Sequence, residues 1–218
     1  MKIILLNWLK RLLLLGFAGF VLYLAYLNHL VKSEFSKPLG RNHSALPVHS
    51  YPKPLVNMLL LVEDQSFFDH IGIDFKEIAK VFRDNVLLDK PMRGASTLTQ
   101  QLIKNTLLTQ EKTLKRKANE ALMALSLEWS FSKDFILRRY MNTVYLGQSG
   151  NRAIYGFAKA AQFYFNQPVH QLSLKQMATL VALVKGPSYY HPIRQKQRLD
   201  KRAALVLRLY HKYEKIIK

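Results

Sequence analysis

The sequence predicts a mainly helical domain carried behind a single membrane-crossing helix. Three observations predict it. Leu12 to Val31 runs twenty residues without a formal charge, long enough to cross roughly 30 Å of hydrocarbon as a helix. From Leu55 to Tyr213 apolar residues recur at three- and four-residue spacing, behind Ser, Thr and Asp residues placed to cap helices. No strand signal interrupts that pattern.

Lys2, Lys10 and Arg11 precede the apolar run, so the positive-inside bias places the N-terminus in the cytoplasm and the bulk of the chain outside; Lys32, Lys37 and Arg41 weaken the contrast. A cleaved signal peptide competes, but it needs a shorter apolar region and a small-residue cleavage site, and Leu24-Ala25-Tyr26-Leu27-Asn28 is a poor one. Residues 32–54 are polar and hold Pro38, Gly40, Pro47, Pro52 and Pro54, which reads as a linker. The chain thus divides into an N-terminus with anchor (1–31), a linker (32–54) and one folded domain (55–218).

In that domain Pro54 suits the first turn of a helix over Leu55 to Phe67. Asp74, with Glu77 three residues on, opens a segment bearing Phe75, Ile78, Val81 and Phe82. Ser96 to Asn105 reads as a turn entering an amphipathic helix. Ser132 caps the clearest helix, in which Ile136, Leu137, Tyr140, Met141, Val144 and Tyr145 recur, ending near Gly147. Ile154 to Phe165, Leu174 to Val184 and Leu199 to Tyr213 follow, separated by Pro168 and by the loop from Gly186-Pro187 to Pro192. There is no internal repeat.

A length of 218 residues allows one catalytic unit with a real core and excludes two. The lack of cysteine excludes a disulfide framework and a thiolate metal site. The formal net charge is +19, and residues 1–31, with three basic and no acidic residues, leave +16 to the remainder. Ten Lys and Arg lie between Lys185 and Lys218, against Asp200 and Glu214. Such a surface attracts nucleic acid, anionic lipid headgroups or pyrophosphate. Behind a membrane anchor lipid is favoured and nucleic acid is not expected; a solvated basic face without a partner is the plain alternative.

Two strings carry most of the chemistry. Glu63-Asp64 closes the apolar run Leu59-Leu60-Leu61-Val62. Partial desolvation and a neighbouring like charge both favour a protonated carboxyl, which is how a general acid or base comes to work near neutral pH; an ordinary solvated helix end is the other reading. Ser96 to Asn105 offers free amides at a helix start, the hydroxyls of Ser96, Thr97 and Thr99, and Lys104 on the same side, a cradle for an oxyanion. Equally, Thr97 and Gln100 form only a capping box and Gln101 faces water. Arg116, Lys117 and Glu120 make a third cluster, with Arg116 and Glu120 one turn apart; a surface ion pair is the dull explanation. His70 is either a ligand or a satisfied structural histidine, and no second histidine at ligand spacing supports the first.

Taken together and in order, these strings resemble the family 51 glycosyltransferases, the peptidoglycan glycan-chain polymerases. The resemblance covers Glu63 to Gly72, Gly94 to Lys104, Arg116-Lys117-Ala118-Asn119-Glu120, Lys133 to Asn142, and Tyr164-Phe165 followed by Leu172-Ser173-Leu174. Val144 to Gly150 and Lys185-Gly186-Pro187-Ser188 look closest to the glycosyltransferase half of bifunctional class A penicillin-binding proteins of Gram-negative bacteria. Because the chain stops where a transpeptidase domain would begin, a monofunctional transglycosylase is expected.

The resemblance implies an all-α fold with a lysozyme-like lobe and a smaller membrane-associated lobe. The implied substrate is lipid II, a disaccharide-pentapeptide on undecaprenyl pyrophosphate, polymerised into a nascent glycan strand at the inner membrane, with the catalytic domain periplasmic and other cell wall synthases as possible partners. Glu63 takes the position of the base that deprotonates the GlcNAc 4-hydroxyl, and Glu120 that of the second acidic residue. Lys104, Arg116 and Lys117 match donor-site basic positions; Ser96, Gln100 and Gln101 hold sugar or phosphate oxygens. Asp64, His70, Thr97, Lys112 and Asn142 complete the implied substrate-binding set, and a divalent cation, Mg or Mn, is implied at the pyrophosphate. Lys112 stands where arginine is frequent, so a point charge replaces a bidentate fork. Ala153 and Gln176 replace a glycine and a glutamate seen in many members. Two other readings compete: a lysozyme-like glycan-cleaving enzyme, which has no pyrophosphate to stabilise, and a noncatalytic scaffold that binds lipid II.

Overall fold

The computed structural model describes residues 2–40, 43–89, 94–109 and 111–214, with side chains from residue 6 onward. Arg41 and the tail residues Lys215 and Lys218 lie outside them, as does the side chain of Lys2. Helix α1 (Lys2–Phe35) is followed by α2 (Lys53–Glu63), α3 (Phe75–Leu88), α4 (Leu98–Leu107), α5 (Leu114–Ser130) and α6 (Lys133–Thr143). A hairpin of β1 (Tyr145–Ser149) and β2 (Arg152–Tyr155) leads to α7 (Phe157–Phe165), α8 (Leu174–Val184) and α9 (Lys196–Tyr213). Nine α-helices and one two-stranded sheet among the described residues bear out the mainly helical class.

Leu6 to Phe35 is long and apolar enough to cross a membrane. Its outer part exposes Leu12, Leu13, Leu14 and Leu15, whereas Leu27, Val31 and Phe35 are buried in the core. The helix continues four residues past Val31, and its last turns pack on α5. Each buried side chain of this size contributes about 1.5–3 kcal/mol. Polar contacts fix the register. The Tyr23 hydroxyl donates to Asn119 Oδ1 (2.6 Å) and that of Ser126 to Asn28 Oδ1 (2.8 Å). At the helix end the Arg139 guanidinium donates to the carbonyls of Lys37 (2.9 Å) and Glu34 (3.4 Å), satisfying acceptors that the helix leaves open.

The centre of the domain is α8, whose Met177, Ala178 and Leu180 to Leu183 are buried. It packs against α2 and α9 on the faces that hold the site. Its limits are those expected, and its Ser173–Gln176 capping box forms in both directions. Two other expectations fail. Helix α2 ends at Glu63 instead of continuing to Phe67. Tyr145 to Gly147, expected to end one helix, and Ile154 and Tyr155, expected to begin the next, instead belong to an antiparallel hairpin with Gln148 opposite Ala153 and Ser149 opposite Arg152. Gly150, at positive φ, begins its two-residue turn.

Asp74 caps α3 by accepting from the Glu77 N–H (2.8 Å). Burial raises its pKa, but the Ser66 hydroxyl and the Glu77 N–H outweigh that and hold the carboxyl below its usual value. The folded-state pKa lies below the unfolded one, so the cap stabilises at neutral pH, and that contribution is lost as pH falls below about 4. Asp74→Asn is accordingly expected to lower the melting temperature at pH 7 and to show a shrinking deficit in thermal unfolding scans run down to pH 3. Helix α3 leaves Phe75, Ile78, Phe82 and Val86 exposed, beside exposed Phe68 and Ile71.

Candidate active site

Glu63 ends α2 with its side chain only 7% exposed. One carboxylate oxygen, Oε2, accepts from the Gln101 amide (3.2 Å), and Gln101 Oε1 accepts from the Tyr140 hydroxyl (2.9 Å). The relay can run in one direction only. Burial, followed by the charges of Glu63 and Asp64, raises the Tyr140 pKa well above its ordinary value, so the phenol keeps its proton and orients the amide. The other oxygen, Oε1, is buried without a hydrogen-bond partner among the described residues, with an Arg202 guanidinium nitrogen 3.6 Å away. Tyr140→Phe, which frees the Gln101 amide to rotate, is expected to reduce turnover about tenfold with little change in KM, as the loss of one positioning hydrogen bond predicts.

The neighbours of Glu63 form a frame. Asp64 is buried; it accepts from the Leu98 N–H at the start of α4 (2.8 Å) and from His70 Nε2 (3.0 Å). The Gly72 N–H donates to His70 Nδ1 (2.9 Å), which assigns the imidazole proton to Nε2. Thr97 donates to the Gly72 carbonyl (2.7 Å) and closes a capping box with Gln100. Asp64, His70, Thr97 and Gln100, expected to hold substrate, are buried and engaged with one another and with backbone, and these contacts lock the end of α2 to the start of α4. Gly72 is required there. At φ +101° its added Cβ would lie 2.7 Å from the Ala124 carbonyl. Gly72→Ala is expected to cost at least about 2 kcal/mol in denaturant unfolding.

Asn142, also expected at the substrate, is tied into the frame as well. It is fully buried, its amide donates to the carbonyls of Leu46 and Arg138, and its oxygen accepts from the Leu46 N–H and the Tyr51 hydroxyl. All four positions are filled, so the side chain pins the segment after α1 onto α6 and has nothing left for a substrate.

The cations divide into two groups. Lys117 donates to Ser96 Oγ (2.8 Å) and, with Arg116, ion-pairs the buried Glu120. Glu120 thus holds the two cations in place. Lys117 is the more exposed of them, and Lys112 is exposed ahead of α5. Glu63, Ser96 and Thr97 line a cleft of about 390 Å³ together with Lys185 and Arg202. Further along α4, Gln101 and Lys104 line a larger groove of about 940 Å³ that also takes in Tyr140, Tyr145 and Gln148. Gln101 therefore stands between the Glu63 carboxylate and the groove. No three His, Asp or Glu side chains gather as a metal site among the described residues. Asp64 is paired with His70 and Glu120 with Arg116 and Lys117, while Glu63, Asp74 and Glu77 also line the cleft.

Sequence reasoning missed Arg202, which it counted only in a basic tail, and used Lys185 only in the tail and in the Lys185-Gly186-Pro187-Ser188 string, not as a site residue. The signal was Arg202's place on the buried side of α9, one residue before Ala203 and four before Val206, where an unpaired cation is costly.

Residues 31–211 match the model of the transglycosylase family. The chain is 47% identical over 174 residues to penicillin-binding protein 1B of Escherichia coli, covering 80% of this chain and 21% of that protein. It is 45% identical over 172 residues to the 1B protein of Haemophilus influenzae (79% and 22%) and 43% identical over 160 to penicillin-binding protein 1A of Neisseria cinerea (73% and 20%). This chain thus spans about a fifth of the length of the relatives it matches. With a match that takes in Glu63, the cation cluster and Arg202, the chain belongs to the transglycosylase family, enzymes of glycosyl transfer.

Proposed function

We propose that the chain polymerises peptidoglycan glycan strands from lipid II. The observation that carries the reading is the Glu63 side chain, which lines the cleft with one carboxylate oxygen held by Gln101 and the other without a hydrogen-bond partner among the described residues. The acceptor GlcNAc 4-hydroxyl donates to Glu63 Oε1. As the proton passes to the carboxylate, the sugar oxygen attacks the anomeric carbon of the growing strand from the face opposite the pyrophosphate, and that carbon inverts to a β-1,4 linkage. The electron pair of the broken bond leaves on undecaprenyl pyrophosphate. Lys117, held by Ser96 and Glu120, and Arg116 beside it meet the developing charge. Lys104 attracts anionic groups of the strand in the groove.

The exposed apolar face of α3 and the length of α1 support work at a membrane surface, where the lipid tail stays. Lys10 and Arg11 support a cytoplasmic N-terminus and a periplasmic site at the inner membrane. Other cell wall synthases are natural partners of such an enzyme.

The test is incubation of purified protein with labelled lipid II in detergent, with products resolved on a gel. A ladder of glycan polymers is expected. Cleavage of finished strands without a ladder would mark a glycan-cleaving enzyme, and binding of lipid II by folded protein without product would leave the scaffold.

A further inference from the structure

Leu98 and Thr99 open α4, and a different carboxylate takes each of them. The Leu98 N–H donates to Asp64 (2.8 Å) and the Thr99 hydroxyl to Glu128 Oε1 (2.6 Å). Lys133, the first residue of α6, fills the space between the two carboxylates. Its ammonium donates to Glu128 Oε1 (2.7 Å), lies 3.4 Å from His70 Nδ1 and sits over the Phe67 ring, 4.5 Å from its centre. His70 Nε2 donates to Asp64 (3.0 Å). The contacts thus close on themselves, from Asp64 through His70, Lys133, Glu128 and Thr99 back to Leu98. We propose that Glu128 and Lys133 are positioning residues for glycosyl transfer, holding the first turn of α4 so that Gln101 meets the Glu63 carboxylate. The inference rests on the polymerase reading and adds to it two side chains that line neither the cleft nor the groove.

The ring is built to be stiff. The side chains of Asp64, His70 and Glu128 are almost wholly buried, and Thr99 is fully so. Buried charge is costly unless paired, and here two carboxylates share one ammonium and a neutral imidazole that accepts from the Gly72 N–H at Nδ1. Hydrogen bonds to charged groups are roughly twice as strong as neutral ones. Only Phe131 and Ser132 separate the end of α5 from the start of α6, so Glu128 and Lys133 reach the ring from one tight corner. The ring also grips both halves of the general-base pair. Asp64 follows Glu63 directly in the chain, and Gln101 stands three residues after Leu98 on α4. A tilt of that first turn would carry the Gln101 amide away from Glu63 Oε2, and a misplacement of about 1 Å costs up to about 10²-fold in rate. Tyr140 sets which way the amide points, while the ring sets where it stands.

The test compares variants of the full chain in the lipid II gel assay. Thr99→Val, close in shape and lacking only the hydroxyl that reaches Glu128, is expected to lower kcat about tenfold with KM for lipid II unchanged. Lys133→Met should do the same, and Lys133→Arg, which keeps a cation beside Glu128, should stay within about twofold of wild type. If Lys133→Met does not fold, Thr99→Val decides, since it leaves the ion pair whole. The sharpest reading comes from a double-mutant cycle. Gln101→Ala removes the amide through which the ring acts, so adding Thr99→Val to it should cost less than about twofold more. A full tenfold loss in that background, or wild-type kcat in Thr99→Val, would overturn the positioning role. Hydrogen exchange read by mass spectrometry follows the same link without turnover. The segment from Leu98 to Gln101 should exchange about tenfold faster in Thr99→Val, and unchanged protection there would also overturn it. A wild type that makes no polymer while that exchange difference holds would sink the polymerase reading and leave the hold on α4 standing.

Discussion

Glu63→Gln lowers the rate of lipid II polymerisation by about 10²- to 10⁴-fold, the range lost when a positioned general base is removed. The substitution is close to isosteric and tests chemistry more than packing. Glu63 Oε2 already accepts from the Gln101 amide, and a glutamine at position 63 keeps an oxygen for that contact. What disappears is the ability of the second oxygen to take a proton, together with the charge it presents to Arg202. KM for lipid II should change little, and the melting temperature should stay near that of the wild type. Single-turnover kinetics on the full chain, with product formation followed on a gel, distinguish this from a folding defect. A variant that retains more than about a tenth of wild-type turnover would move the base elsewhere in the cleft.

Asn142→Ala has the largest expected effect on stability. The truncation removes four hydrogen bonds at a fully buried position and leaves the Leu46 N–H and the Tyr51 hydroxyl without their acceptor. Each stranded group costs about 1–3 kcal/mol, so the total is on the order of 3 kcal/mol, or about 6–12 °C in melting temperature for a chain of this size. The resemblance put Asn142 among substrate-binding residues, and the two roles separate cleanly in experiment. A structural pin predicts a low melting temperature with unchanged KM in the protein that remains folded. A substrate contact predicts the reverse.

The helices were legible because their signals are local. Asp74, Thr97, Ser132 and Ser173 each accept from a backbone N–H three residues on, and those contacts are fixed by spacing alone. The hairpin was not, since strands of five and four residues built around Tyr145, Leu146 and Ile154 are too short for an alternating pattern to outweigh the helical spacing on either side. Nor was the true end of α1, where Lys32 and Glu34 look like the start of a polar linker although Val31 and Phe35 face the core. In the candidate site, the strings bring Glu63, Ser96 and Thr97 to one cleft but do not separate side chains already engaged with one another from those with groups to spare. Asp64 and His70 sit in the same motif as Glu63, yet only Glu63 has an oxygen left over. Arg202 approaches Glu63 from the far end of the chain, a pairing that no local spacing encodes.

Helix α1 has no joint where it leaves the domain, and that fixes a quantity no loop could fix. Residues 2–35 form one continuous rod whose inner end is clamped by Arg139 and sealed by Phe35. One residue inserted near Val21 would lift everything on its N-terminal side by about 1.5 Å and turn it by about 100°. In the membrane setting proposed above, the height of the site over the bilayer and the compass bearing of the domain around its stalk are therefore counted out in whole residues. A flexible tether would blur both.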